Sequence, residues 1–110
     1  MRDDIAVIEG GDGVVHAIDR APLRAGSYGP FELRPGAHTF DVTASTSQFQ
    51  VVRTVYYRSG LRTLCLKARG GHRYRIKAAV EPDDRLRVFI IDVATGEAPK
   101  TPCGPDEDDD

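Results

Sequence analysis

Residues 72–80 read His72, Arg73, Tyr74, Arg75, Ile76, Lys77, Ala78, Ala79, Val80, and this stretch decides the fold. His72, Tyr74, Ile76, Ala78 and Val80 alternate with Arg73, Arg75 and Lys77. Successive side chains of an extended chain point to opposite faces, so the spacing predicts a strand with one apolar and one cationic face. A helix would scatter the same residues around its cylinder.

Upstream of it, Leu64, Leu66 and Ala68 share one face of a strand over 61–69, with Thr63, Cys65 and Lys67 on the other. If 61–69 and 72–80 form a hairpin, a two-residue Gly70-Gly71 loop sets Arg69 opposite His72 and puts Leu66 on the cationic face. A three-residue Arg69-Gly70-Gly71 loop sets Ala68 opposite His72 and aligns the apolar faces, so it is the predicted turn, with a glycine at positive φ. On the N-terminal side, Ser59 and Gly60 read as a compact turn after a strand over 49–58. On the C-terminal side, Glu81 to Asp84 read as a turn. Residues 86–93 are apolar on both faces, as expected of a central strand.

The first half repeats the grammar in shorter words. Ile5 to Glu9 and Val14 to Asp19 read as a hairpin around the flexible Gly10, Gly11, Asp12, Gly13 turn. An irregular passage after Pro22 leads to Phe31 and Leu33, and Pro35-Gly36 separates these from the alternating His38, Phe40 and Val42. No window holds apolar residues at helical spacing. The expected fold is therefore all-β, a small antiparallel β-sandwich of about seven to eight short strands, with an open barrel as the alternative. Residues 1–97 form its single domain, and 98–110 an extended Pro-rich and acidic tail.

A chain of 110 residues holds one modest core and excludes multi-part enzymes. No run approaches the ~20 apolar residues of a membrane-spanning helix. The formal charge of −2 hides an asymmetry: residues 1–50 carry 4 basic and 7 acidic groups, residues 51–105 carry 11 and 5, and five more acids close the chain. Arg73, Arg75 and Lys77 form a cationic strip that Arg58, Arg62 and Arg69, with Arg85 and Arg87, would extend across neighbouring strands. Tyr56 and Tyr57 lie near it. It is the one constellation with the look of a binding surface, suited to anionic lipid headgroups, acidic polymers or a protein partner, with nucleic acid ranked below these.

Cys65 and Cys103 permit one disulfide, and closing so long a loop would contribute about 3–4 kcal/mol, so pairing is the expected state. They fit no zinc spacing. His16, His38 and His72 read as strand-end histidines donating to backbone carbonyls rather than as metal ligands, because His38 and His72 each follow a turn glycine and precede an aromatic by two residues. Asp83 and Asp84 are adjacent turn formers, and the Gly10–Gly13 run lacks the lysine and helix of a phosphate loop. No catalytic, cofactor or metal residue is assigned.

The string Leu33, Arg34, Pro35, Gly36, Ala37, His38, Thr39, Phe40, Asp41, Val42 resembles the strand-turn-strand of small bacterial envelope modules, including PEGA-like domains and short lipoproteins. In that resemblance Ala68, Gly71, His72, Tyr74 and Ile76 supply a middle element, and Asp92, Thr95 and Gly96 a closing turn. It implies a non-enzymatic exported module of the periplasm or envelope whose leader has been removed, a cytoplasmic location being the alternative. It also implies a structural or protein-interaction role, with membrane attachment only through a lipid anchor that this sequence does not carry.

Overall fold

The computed structural model of the 110-residue chain describes residues 4–99. These form nine strands and no helix: β1 Ala6–Glu9, β2 Gly13–Ile18, β3 Ala21–Ser27, β4 Phe31–Leu33, β5 Gly36–Gln50, β6 Arg53–Arg58, β7 Arg62–Ala68, β8 Arg73–Val80 and β9 Leu86–Asp92. They build two sheets, one ordered β4-β1-β8-β9 and the other β3-β2-β5 with β6 and β7 also paired to β5. The fold class is all-β, as the alternation in 72–80 requires. Tyr74, Phe40, Ile8, Leu66, Ile76, Val15 and Val42 lie fully buried between the sheets. Both sheets contribute to that one core, each through alternate residues.

The pairings depart from the sequence reading in three places, two of which share a cause. Neither β1 and β2 nor β7 and β8 form hairpins, because each pair divides between the two sheets. β1 instead lies parallel to β8, with Val7 opposite Arg73 and Glu9 opposite Arg75. Alternation tells which face a residue takes; it does not tell whether the neighbouring apolar face lies beside it or across the core. Ala68 and Tyr74 do share the core, but across it rather than along a ladder. Gly71, in the connection, has the positive φ expected of it (83°). The third departure is the chain reversal, which comes not at Ser59-Gly60 but at Val51-Val52, where Gln50 pairs with Arg53.

Pro22 and Gly26 disguise β3 in the sequence, and both are tolerated because β3 is an edge strand. β9, expected to be central, is also an edge; its outward Phe89 is half-buried with the Arg87 guanidinium 4.4 Å from its ring centre. The Gly10–Gly13 segment is tightly packed rather than flexible: Gly11 has φ 55°, and a Cβ there would come within 2.4 Å of the Ile76 carbonyl oxygen.

β5, at 15 residues the longest strand, pairs with two partners in turn along one edge. Its first half pairs with β7, from Gly36 opposite Ala68 to Val42 opposite Arg62. Its second half pairs with β6, from Ser45 opposite Arg58 to Gln50 opposite Arg53. From Ser45 to Val42 is three residues, from Arg58 to Arg62 four, so β6 and β7 are successive stretches of one return path with an extra residue between them. β2 ends its pairing at Ala44. Beyond that point β5 and β6 continue as a two-stranded arm, and the described molecule is elongated, 48 by 32 by 31 Å.

Candidate functional site

Two His–Asp pairs secure turns of the body. In one, His72 Nδ1 lies 2.8 Å from Asp92 Oδ2, while Asp92 Oδ1 accepts the Ala94 N–H at 2.9 Å. In the other, His38 Nδ1 lies 2.7 Å from Asp19 Oδ2, and Asp19 Oδ1 accepts the Thr39 N–H at 2.8 Å. His38 Nε2 is 2.6 Å from the Arg34 carbonyl. Both partners of His38 are acceptors, so both contacts are hydrogen bonds only when each ring nitrogen carries a proton. Of the three histidines expected to bond backbone carbonyls, His38 does so, whereas His16 meets the Thr43 hydroxyl, and His38 and His72 bond carboxylates 19 and 20 residues away in the chain.

Partial burial pushes the Asp92 carboxyl up, but hydrogen bonds from His72 and Ala94, with the His72 and Arg69 charges, outweigh it and hold it below its ordinary value. Asp19 follows the same balance: burial opposes, and the His38 and Thr39 hydrogen bonds prevail. Around His72 lies an open cleft of about 340 Å3 lined by Lys67, Arg69, Tyr74, Asp92 and Glu97. Tyr74 stacks on His72 with ring centres 6.2 Å apart, and its hydroxyl oxygen accepts the Arg69 N–H at 3.0 Å. Asp92 and the Tyr74 ring thus orient the histidine, while the Tyr74 hydroxyl is engaged by the Arg69 turn. His16 bonds Thr43 at 2.9 Å, and among the described residues no three His, Cys, Asp or Glu side chains gather to hold a metal.

The six cations singled out in the sequence do not form one face. Arg73, Arg75 and Lys77 stand on β8 in one sheet, and Arg58 and Arg62 on β6 and β7 in the other, with Arg69 in the connection between sheets. Arg75 is further neutralised by Glu9, its Nε donating to Oε1 at 2.7 Å, and Lys77 lies 3.9 Å from Asp12 Oδ2. Arg85 and Arg87 face Asp83 and Glu81. Cys65 lies half-buried on β7, on the face opposite Leu66; Cys103, its expected partner, lies outside the described residues, as does 100–110 of the tail.

What the sequence reading missed is the β5–β6 arm. Ser45, Ser47 and Phe49 share one face with Thr54, Tyr56 and Arg58, and every one of these residues is exposed. Phe49 is 72% exposed and Tyr56 78%. They are diagonal neighbours on that face, since Phe49 pairs with Thr54 and Ser47 with Tyr56. At the tip, Val51 and Val52 are 90% and 85% exposed. Val51 also has φ 45°, a left-handed conformation that a β-branched side chain disfavours. Two valines in a reversal carry none of the usual turn chemistry, so the sequence gives no sign of it. No protein-family model matches the chain, and neither does any curated protein or solved structure.

Proposed function

We propose that this domain is a non-enzymatic module of the bacterial cell envelope that acts as a protein-interaction or structural domain, and that its contact element is the β5–β6 arm. The arm carries the proposal. Small monomeric folds keep large apolar side chains apart or covered, and a contiguous exposed group marks a surface made to be covered. Here Phe49, Val51, Val52 and Tyr56 are gathered at one end of the molecule on a strained reversal, away from the core that stabilises the fold. The resemblance of the Leu33–Val42 string to envelope modules supports the compartment. So does the half-buried placement of Cys65, which suits a cysteine joined to Cys103 in an oxidising compartment.

A second reading, recognition of anionic ligands, gains from the positions of the cations. The β8 strip is mostly neutralised from within, whereas among the described residues no carboxylate pairs with Arg53, Arg58 or Arg62 on the arm and its base. The test is photo-crosslinking in the source cell, with a photoreactive residue at Gln48 or Thr54 on the arm, or at Glu32 or Arg87 on the body. The proposal expects adducts from the arm positions and few from the body. Adducts from the body alone, or equally from both, overturn it.

A further inference from the structure

The chemistry of the arm selects one kind of partner. From Thr43 to Arg62 the arm and its base contain no Asp or Glu and carry Arg53, Arg58 and Arg62, with Asp12 and Asp41 only at the end that joins the body. Pairing two such arms in a dimer would bring like charges together, which disfavours a second copy through this surface. A phosphate polymer would meet the arginines but gain little from a Val51-Val52 tip. An anionic bilayer uses both features, because its headgroups take the cations and its acyl boundary takes apolar side chains.

The order along the ribbon matches that boundary. At ~3.3 Å per residue, Val51 and Val52 lead, Phe49 follows about two residues back, Tyr56 lies about four residues from the tip and Arg58 about six. Phe49, Tyr56 and Arg58 point to the same fully exposed face. Aromatic side chains, and tyrosine above all, suit the headgroup level, with an apolar body and a polar end. Arg53, on the opposite face, has the length to reach phosphates at the rim.

We propose that the β5–β6 arm docks obliquely on an anionic lipid surface, with Val51, Val52 and Phe49 entering the acyl boundary, Tyr56 at headgroup level, and Arg58 and Arg53 pairing with lipid phosphates. This rests on the arm being the contact element, and it supplies a membrane attachment that needs no covalent anchor.

The chain has no tryptophan, so Phe49→Trp places a single reporter on the arm. The full chain is titrated with vesicles of phosphatidylglycerol and phosphatidylethanolamine, or of phosphatidylcholine alone, with and without lipids brominated on the acyl chains. The expected result is a blue shift and bromine quenching on the anionic vesicles only. Binding should weaken tenfold or more when Val51→Asp and Val52→Asp are added, and also when salt is raised from 50 to 500 mM. The valines are exposed and aspartate tolerates the positive φ of Val51, so the double variant should melt no lower than its parent, which a thermal scan checks. No shift on anionic vesicles overturns the lipid proposal, as does a shift without quenching or one that survives the aspartates. If arm crosslinks to protein persist in cells while vesicles give no shift, the contact-element reading stands and the lipid assignment falls. If both fail, the arm itself is excluded.

Discussion

Ser59 holds Ala44 through its N–H and its hydroxyl: the Ser59 N–H donates to the Ala44 carbonyl at 2.8 Å, and the Ala44 N–H donates to Ser59 Oγ at 2.8 Å. The hydroxyl takes the place that a strand carbonyl would fill, at the extra residue between β6 and β7. That substitution lets the return path continue along β5, so that the arm projects from the body instead of folding back. Ser59→Ala leaves the N–H of the buried Ala44 without its partner and should cost about 1–3 kcal/mol. Urea unfolding at neutral pH measures it, and a loss under about 0.3 kcal/mol would show that this bond does not hold the junction.

Tyr74 should divide its contribution between packing and its hydroxyl. Tyr74→Phe keeps the buried ring but removes the acceptor for the Arg69 N–H, with an expected loss of about 0.5–1.5 kcal/mol. Tyr74→Ala opens a cavity in the centre of the core and should cost about 3–5 kcal/mol. Equal losses in the two variants would mean that the ring contributes nothing beyond the hydroxyl.

Strands are legible in the sequence wherever one face is buried and the other wet, because burial writes itself as alternation. Residues 72–80 and 64–68 are the clearest cases, and Leu66, Ala68, Tyr74 and Ile76, all expected to point inward, are buried. Partners are not legible, since Ala68 and Tyr74 would share an apolar side whether they met along a ladder or across the core. Gly71 takes the positive φ that side-matching predicts for the 69–72 connection, although the hairpin behind that prediction does not form. The arm is hidden for a different reason. Ser59-Gly60 has turn chemistry but is a junction, whereas Val51-Val52 has none and is the reversal. Asp19 and Asp92 escape a local reading because each lies far along the chain from its histidine.

The tip should sacrifice stability for apolar exposure. Val51→Asn with Val52→Gly supplies a reversal that tolerates positive φ and relieves a conformation that costs about 1–3 kcal/mol in a β-branched residue. The double variant should melt several degrees higher, and its vesicle binding should fall. A lower melting temperature would mean that the valines stabilise the arm.

The carboxylates give the pH dependence a defined sign. Asp19 and Asp92 are both held below the ordinary 3.8 in the folded chain, so each contributes stability that is present above that value and is lost as pH falls through its lowered folded pKa. Asp92→Asn should therefore lower the melting temperature at pH 6, and its difference from the parent should shrink as pH falls below 3.8. A constant difference from pH 6 to pH 2 would show that the ionised carboxylate contributes no stability.

If the body is a scaffold and the arm its contact element, removing the arm abolishes the contact and spares the fold. The most direct test replaces residues 48–55 by Asn-Gly, which joins the paired Ser47 and Tyr56 through a two-residue turn and leaves every core residue in place. The measurement is the fraction of protein that sediments with envelope fragments of the source cell. The full chain should sediment, while the shortened chain should stay in the supernatant with an unchanged or higher melting temperature. Equal sedimentation of the two chains would contradict this role of the arm.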